Sequence, residues 1–266
     1  MSGQEILLKE VHDAIGTVTF NRPHRKNALS PELLLHIHKT LGEWAVDDDI
    51  RCVVITGCNG TAFSSGYDIA AIPTEMTPEL AALMKTSNPL EFAMNTVAKY
   101  PYPTIAMMNG DAFGAGLNMA MCCDMRIAVE GIRAGMPPTR LGLVYHPEGI
   151  RQFVDVVGMA RAREIFFTAR TYKGPEVLRM GLVDRLVPKN ELAEVTYCLA
   201  GEIAQNAPLS LKGTKRIMAM FQERMSLDEE QMKEADGLIG EAFNSDDLKE
   251  GQFAFFEKRK PRFTGR

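Results

Sequence analysis

The feature that most constrains the fold is an alternation of short β-branched runs with amphipathic helical segments in the first half of the chain. A serine followed by a proline, Ser30 and Pro31, marks the start of the first of these helices. Strands that alternate with helices favour a largely parallel sheet with helices on its faces, so the sequence predicts an α/β fold. The predicted strands are residues 14–20, 52–56, 104–108 and 125–129, and the predicted helices are residues 31–46, 78–99 and 116–123.

Beyond Glu148 the chain becomes mostly helical, and no strand is predicted after about residue 190. We therefore predict a core of residues 1–190 and a helical C-terminal region of residues 191–266. The predicted late helices are residues 151–158, 160–168, 174–180, 189–206, 208–222, 227–243 and 246–258.

Composition excludes several classes of protein. The 266 residues are 45% hydrophobic and 24% charged with a net charge of -4, which is typical of a globular protein and offers no general attraction to nucleic acid. Five cysteines, an odd number without CxxC spacing, predict a reduced, cytoplasmic protein with no structural metal. The N-terminus lacks the layout of a signal peptide, and no segment is apolar enough to cross a membrane.

Two glycine-containing turns are the first candidates for a functional site. Residues 63–69 follow the strand at 52–56, and residues 109–118 follow the strand at 104–108. Ligands bind beyond the carboxyl ends of parallel strands, where glycine lets a ligand approach backbone N–H groups. Two such turns can supply two donors to one oxygen atom, although for either turn alone tight packing of helix on sheet is the better explanation.

Several short motifs follow one another along almost the whole chain. They are Asn21-Arg-Pro, Asn27-Ala-Leu, Phe63-Ser-Ser-Gly-Tyr-Asp-Ile, Asn109-Gly-Asp-Ala-Phe-Gly-Ala-Gly, Cys123-Asp, Leu141-Gly, Gly181-Leu-Val and Phe256-Glu-Lys-Arg-Lys-Pro. Taken together and in this order, they resemble the motifs of the crotonase, or enoyl-CoA hydratase/isomerase, superfamily.

The resemblance implies a spiral of ββα units, a C-terminal region that makes homotrimers or dimers of trimers, and an acyl-CoA substrate with no further cofactor. It also implies that the backbone N–H groups of Tyr67 and Ala115 hold the thioester carbonyl oxygen. Further candidate contacts to the substrate and its CoA lie in the two turns, in the turn after the first strand and near the C-terminus. They are Ser65, Gly66, Asp68, Ile69, Gly114, Arg22, Arg25, Lys26, Phe255 and Lys258.

The reaction is harder to predict, because the two glutamates of the hydratases correspond here to Asn118 and Pro138. Neither side chain titrates near neutrality, so neither can activate water or deliver a proton. The loop at residues 143–149 instead offers Tyr145, His146 and Glu148. Its Glu-Gly pair resembles the loop of Δ3,Δ2-enoyl-CoA isomerases, which makes Glu148 the first candidate for a base that shifts a proton or activates water.

Other interpretations of the same loop stay open. Tyr145 and the C-terminal Glu-Lys-Arg-Lys-Pro resemble methylmalonyl-CoA decarboxylases, although these have histidine at the position of Tyr67. Decarboxylation needs an oxyanion hole and a destabilised carboxylate rather than a base. His146 is a candidate proton shuttle. A relative that binds acyl-CoA or RNA without catalysis is a further alternative, which the retained loop side chains disfavour.

Overall fold

The computed structural model describes residues 5–68 and 88–265, and within them the chain forms two sheets surrounded by helices. The strands are β1 (Leu7–His12), β2 (Ile15–Phe20), β3 (Cys52–Gly57), β4 (Ala62–Ser64), β5 (Thr104–Met108), β6 (Asp111–Phe113), β7 (Met125–Val129), β8 (Arg133–Gly135), β9 (Thr171–Lys173) and β10 (Arg185–Val187). The α-helices are α1 (Pro31–Trp44), α2 (Pro89–Ala98), α3 (Ala115–Cys122), α4 (Pro147–Thr168), α5 (Pro175–Arg179), α6 (Leu192–Ala204), α7 (Pro208–Glu223), α8 (Glu229–Phe243) and α9 (Asp246–Phe256).

The larger sheet has the strand order β1-β2-β3-β5-β7-β10, and all of its pairs are parallel except β1 with β2. The smaller sheet has the order β4-β6-β8-β9, with only its last pair antiparallel. Each parallel neighbour must be reached by a crossover, so the chain passes between the sheets as it advances. The α/β spiral that the sequence indicated is confirmed.

Burial explains why the central strands have the sequences they do. Every residue of β3 and of β5 is buried, because α1 and α2 lie against each other on one side of the chain and α6 contacts β3, β5 and β7. Strands covered on both faces read as continuous apolar runs. α1 begins where Ser30 Oγ accepts a hydrogen bond from the Leu33 N–H at 3.3 Å, as the Ser-Pro pair predicted.

The structure adds elements that the sequence analysis missed. All four predicted strands are present, but β1, β10 and the whole smaller sheet were not predicted. The strands of the smaller sheet are only three residues long, too short for a period-two pattern to be recognised. Of the helix predicted at residues 78–99, only α2 is described, and residues 78–87 lie outside the described part of the chain.

The loop at residues 143–149 ends earlier than predicted, because α4 begins at Pro147 and includes Glu148 in its first turn. His146 caps this helix: its Nδ1 atom accepts a hydrogen bond from the Gly149 N–H at 3.2 Å. The two helices predicted at 151–158 and 160–168 form one element, interrupted at Gly158, which has a φ of 76° and a ψ of 158°.

The C-terminal helices pack in two different ways. α6 lies on the larger sheet, whereas α9 lies on the short 3-10 helix Pro138–Leu141 that leads into the loop at 143–149. A Cβ atom at Gly251 would lie 2.6 Å from the carbonyl of Leu141, so glycine permits this close approach. As predicted, the described residues after 190 contain no strand. The division at residue 191 stays a prediction.

Candidate active site

Two turns at the carboxyl ends of β4 and β6 approach each other closely. Gly66 has a φ of +103°, and a Cβ atom built on it would lie 2.8 Å from the Phe113 carbonyl oxygen and 3.6 Å from the Ala115 nitrogen. A side chain at this position would therefore separate the turns. Gly114, with a φ of +51°, continues the contact from the other side, because its own Cβ position is 3.9 Å from Gly66 Cα.

The first turn is held by hydrogen bonds that leave the Tyr67 N–H free. The Leu29 N–H donates to the Gly66 carbonyl at 2.8 Å, and the Asp68 N–H donates to the Leu29 carbonyl at 3.0 Å. Leu29 and Tyr67 thus form a parallel β-bridge. Its two hydrogen bonds use the Gly66 carbonyl and the Asp68 N–H, so the N–H of Tyr67 itself points away from Leu29. The Tyr67 N–H has no acceptor among the described residues.

The second donor comes from the start of α3. Gly114 is the N-cap residue, so the Ala115 N–H is the first of the helix amides that have no carbonyl to bind within the helix. The positive end of the helix dipole lies at the same place. Because Ala115 is close to Gly66, the structure brings the Ala115 amide beside the turn that carries the Tyr67 amide. Two convergent N–H groups at a helix N-terminus can hold a developing oxyanion.

Tyr145 is hydrogen-bonded to the helix that carries the Ala115 amide. Its hydroxyl donates a hydrogen bond of 2.8 Å to Oδ1 of Asn118, which is on α3 one turn after Ala115 and is fully buried. Burial raises the pKa of Tyr145, so its hydroxyl stays protonated at neutral pH. Tyr145 is therefore the loop side chain that the structure ties directly to the helix of the Ala115 amide.

His146 is a neutral group in this structure. Burial lowers the pKa of its imidazole from 6.5 to about 4, against a smaller opposing effect of Glu148. Its Nδ1 atom accepts the hydrogen bond from Gly149, so the neutral ring carries its proton on Nε2, which is buried and has no partner among the described residues. A proton shuttle at pH 7 needs a pKa near 7, which His146 lacks.

The Glu148 side chain is ionised and half-exposed, and it forms an ion pair with Arg151. Arg151 Nε donates to its Oε2 atom at 3.0 Å and another guanidinium nitrogen donates to Oε1, while Arg151 also contacts Asp155 at 2.6 Å. These bonds from Arg151 lower the pKa of Glu148, although burial opposes them. Its charge also acts on Cys122, the last residue of α3, about two turns from Ala115.

A cleft of about 650 Å³ lies beside the two turns. The turn after β2, the 3-10 helix Pro138–Leu141 and α9 all contribute to its walls. Of the predicted contact residues, Lys26, Ser65 and Phe255 line this cleft together, although they are far apart in the sequence. Arg140 also lines it, and neither Lys26 nor Arg140 has an ion-pair partner among the described residues.

The other predicted contact residues lie elsewhere. Arg22 is paired with Asp68 at 3.1 Å and donates to the Ala28 carbonyl at 2.5 Å, so these two charges join the turn after β2 to the first glycine turn. Arg25 and Lys258 do not line the cleft in the described part of the chain. Ile69 lies outside the described residues.

Comparison with known proteins identifies the family. The family model described as Enoyl-CoA hydratase/isomerase matches residues 10–266. The chain is 32% identical over 254 residues to the short-chain-enoyl-CoA hydratase of Clostridium acetobutylicum, covering 96% of this chain and 95% of that protein.

Two further comparisons concern a different enzyme. The chain is 28% identical to the methylmalonyl-CoA decarboxylase of Escherichia coli over 252 residues, 94% of this chain and 95% of that protein. A solved structure of methylmalonyl-CoA decarboxylase in complex with 2-nitronate-propionyl-CoA superposes with a TM-score of 0.90 at 26% identity, covering 99% of this chain and all of that one.

The chain belongs to the enoyl-CoA hydratase/isomerase family. It is an enzyme with a hydratase-like sequence that acts on a CoA thioester, as the order of its motifs indicated. The role of its two glycine turns in a substrate site stays a prediction.

The sequence alone did not identify two further polar side chains of this region. Gln152 accepts a hydrogen bond from Asn118, and Arg140 faces the cleft. Gln152 lies one turn after Glu148 on α4, so helical spacing from the loop was the signal that could have found it. Nothing in the sequence distinguishes Arg140 from other surface arginines.

Three further structural facts bear on the enzyme. Asn118 and Pro138 are both buried, so the two positions of the hydratase glutamates hold groups that neither take up nor release protons near pH 7. Residues 5–68 and 88–265 contain no group of three side chains of the kinds that bind a metal ion. In the same part of the chain, no helix is both long enough and apolar enough to cross a membrane.

The buried, neutral His146 gives a prediction about stability. Its folded pKa of about 4 is below the value of 6.5, so the unfolded chain binds the extra proton first, and stability falls as the pH drops from 6.5 toward 4. Between pH 7 and pH 5 this group should cost the native protein about 2 kcal/mol. His146→Asn keeps a helix-capping acceptor but cannot titrate, so it should remove that part of the pH dependence.

The measurement is urea unfolding of both proteins at pH 7 and pH 5. His24→Asn, at an exposed site in the turn after β2, is the matched control and should leave the pH dependence unchanged. An equal loss of stability in the native protein and in His146→Asn would contradict the prediction.

Proposed function

We propose that this enzyme decarboxylates a 2-carboxyacyl-CoA thioester of the malonyl type. The bond between C2 and the carboxylate breaks, carbon dioxide leaves, and the electron pair forms an enolate whose oxygen is held by the Tyr67 and Ala115 amides. The enolate then takes a proton from water at C2. The observations that carry the proposal are two backbone amides on adjoining turns, without acceptors among the described residues, and a loop whose candidate side chains all have pKa values shifted away from neutrality.

The physical argument rests on what each reaction requires. Isomerisation and hydration need a group that takes a proton from carbon or water, and such a base works best with a pKa near the working pH. Here the pKa of Glu148 is lowered, that of His146 is lowered and that of Tyr145 is raised. Decarboxylation needs the oxyanion donors, each of which contributes about 2.7–4 kcal/mol to the transition state in such sites. Similarity to methylmalonyl-CoA decarboxylase supports the same reaction.

A second candidate is a proton shift or hydration with Glu148 as the base. Its supporting observation is the pair with Arg151, which keeps the Glu148 carboxylate in the unprotonated form that a base requires. The relatives that are enoyl-CoA hydratases favour this candidate too. The two candidates depend on different loop residues, and substitutions can therefore separate them.

The reaction is tested with enoyl-CoA and malonyl-type CoA thioesters, with products identified by mass spectrometry. For a decarboxylase, Tyr145→Phe should lower kcat by about tenfold or more, because it removes a polar contact near the reacting carboxylate, whereas Glu148→Gln should change kcat little. For an isomerase or hydratase, Glu148→Gln should lower kcat by about two to four orders of magnitude and Tyr145→Phe should be mild.

Glu223→Gln, an exposed carboxylate paired with Arg216 on α7, serves as the matched control for loss of an ion-paired glutamate. Release of carbon dioxide from no malonyl-type thioester, together with turnover of an enoyl-CoA, would rule out the decarboxylase proposal. Full activity of both loop variants on the best substrate would show that the loop has a structural role only.

We further propose that the cleft beside the two turns binds the CoA portion of the substrate. Lys26 and Arg140 supply positive charge for phosphate groups, and Phe255 supplies an aromatic face for adenine. Their positions on three separate elements of one cleft support a single extended ligand.

Lys26→Ala and Arg140→Ala should each weaken CoA binding severalfold and make the remaining affinity less sensitive to salt, because each removes a charge that attracts phosphate. Calorimetric titration at two salt concentrations measures both effects. The control is Lys9, which lies on β1 outside the cleft and makes only a 4.0 Å contact with Glu43. Lys9→Ala should therefore bind CoA as the native enzyme does. Unchanged affinity in both cleft variants would refute the proposed site.

A homo-oligomer, a trimer or a dimer of trimers, is also proposed. The family resemblance assigns the subunit contact to the C-terminal region, but within that region α6 buries Leu192, Ala200 and Ala204 against its own sheet. α7 instead has no buried residue, and it exposes Leu209 at 82% and Phe221 at 67%. Apolar side chains exposed along one helix are typical of a protein contact.

Sedimentation should give three or six times the monomer mass of 29.5 kDa at micromolar concentration. Phe221→Asp should dissociate the assembly, because it introduces a charge into an apolar contact. Val46→Asp, at a site that is already 87% exposed beyond α1, should not change the mass. A native protein that sediments as a monomer would overturn the proposal.

A further inference from the structure

A buried chain of polar side chains continues from Tyr145 into the protein. The Tyr145 hydroxyl donates to Asn118 Oδ1 at 2.8 Å, and Asn118 Nδ2 donates to Gln152 Oε1 at 2.7 Å. The thiol of Cys122 donates to the same Gln152 oxygen at 3.2 Å. Asn118 is fully buried and Gln152 is 4% exposed, so water does not compete for these hydrogen bonds.

The chain of hydrogen bonds has a direction. Gln152 Oε1 accepts from both Asn118 and Cys122, so Asn118 turns its nitrogen toward Gln152. Its oxygen must then face Tyr145, which leaves the tyrosine hydroxyl as the donor. Gln152 thereby determines which way the amide of Asn118 lies and, through it, where the Tyr145 hydroxyl points.

The ring of Tyr145 has little other freedom. A Cβ atom at Gly149 would lie 2.3 Å from Tyr145 Cε1 and 2.9 Å from Asn118 Oδ1, so glycine at the start of α4 is what lets the ring lie against the helix. The ring also stacks near His146 and Phe166, with centroid distances of 4.6 and 5.8 Å. Packing therefore places the ring, and the hydrogen bond to Asn118 places its hydroxyl.

The presence of Gln152 has an energetic cost. Its Nε2 group is buried and has no partner among the described residues, a situation that typically destabilises a protein. An apolar side chain of similar length would avoid that cost. Buried polar groups that lower stability are typical of functional sites rather than of ordinary cores.

We propose that Gln152 is a positioning residue, which acts through Asn118 to hold the Tyr145 hydroxyl against the acyl group of the substrate. The proposal rests on the proposed function in one respect, namely that Tyr145 contacts the substrate. Gln152 is hydrogen-bonded to Asn118 and Cys122, and its action on Tyr145 passes through Asn118.

The kinetic test compares two substitutions at one position. Gln152→Met has a similar length but no hydrogen bonds, and it should lower kcat about tenfold while KM stays within about twofold, because orientation is lost and binding is not. Gln152→Glu keeps an oxygen that accepts from Asn118 and should recover kcat to within about threefold of native. Thr196→Val removes another buried, unpartnered polar atom, on α6 away from the site, and should leave kcat unchanged.

A spectroscopic measurement makes the test independent of catalysis. With tyrosine labelled at ¹³Cζ, the resonance that disappears in Tyr145→Phe is assigned to Tyr145. In equal parts of H2O and D2O, a hydroxyl held by a buried acceptor exchanges slowly and gives two Cζ resonances. The native enzyme and Thr196→Val should show both, and Gln152→Met should show one.

The outcomes separate the two proposals. A single Cζ resonance in the native enzyme overturns the positioning role without any variant, even if Gln152→Met fails to fold. Native kcat in a folded Gln152→Met overturns it as well. Two native resonances that merge in Gln152→Met, together with full activity of Tyr145→Phe, support the positioning of the hydroxyl and overturn the proposed function.

Discussion

The close contact between two glycine turns is the constraint on which the rest of the site depends. Gly66 and Gly114 bring backbone against backbone at the ends of β4 and β6, and a Cβ atom at Gly66 would separate them. The contact brings the Ala115 amide beside the turn that carries the Tyr67 amide. Because the donors belong to the backbone, they keep their positions whichever residues occupy the rest of the site, so the chemistry depends on the loop that faces them.

That loop is the physical basis for proposing a reaction other than hydration on this family scaffold. The start of α4 buries His146 as a helix cap and pairs Glu148 with Arg151, so the environment moves both pKa values away from neutrality in the same direction. In sites of acid–base catalysis, the environment commonly shifts the pKa values of two groups in opposite directions, so that one group donates a proton and the other accepts one. The absence of that separation here is consistent with a reaction whose barrier is lowered mainly by holding the enolate oxygen.

The sequence was sufficient for the fold class, because long helices and buried strands have clear periodic patterns. It was insufficient for the three-residue strands of the smaller sheet and for the start of α4, where Pro147 sets the helix one residue before Glu148. The order of motifs predicts Tyr67 and Ala115 as the amide donors, and the structure brings their two turns together. The partners of Glu148 and Tyr145 follow from side-chain directions on α3 and α4, which a sequence does not contain.

One helix links the cleft to the loop. A Cβ atom at Gly142 would lie 2.7 Å from the Asp247 backbone of α9, while Phe255 of the same helix lines the cleft. Asp247 also accepts hydrogen bonds from the N–H groups of Thr264 and Gly265, which fold the tail back onto α9. Because Leu141 and Gly142 lead directly into the loop, the position of α9 fixes both the cleft wall and the point from which Tyr145 departs. In the proposed complex, the same element therefore aligns the CoA portion at Phe255 with the acyl group at Tyr145, so that a distant CoA contact orients the reacting group.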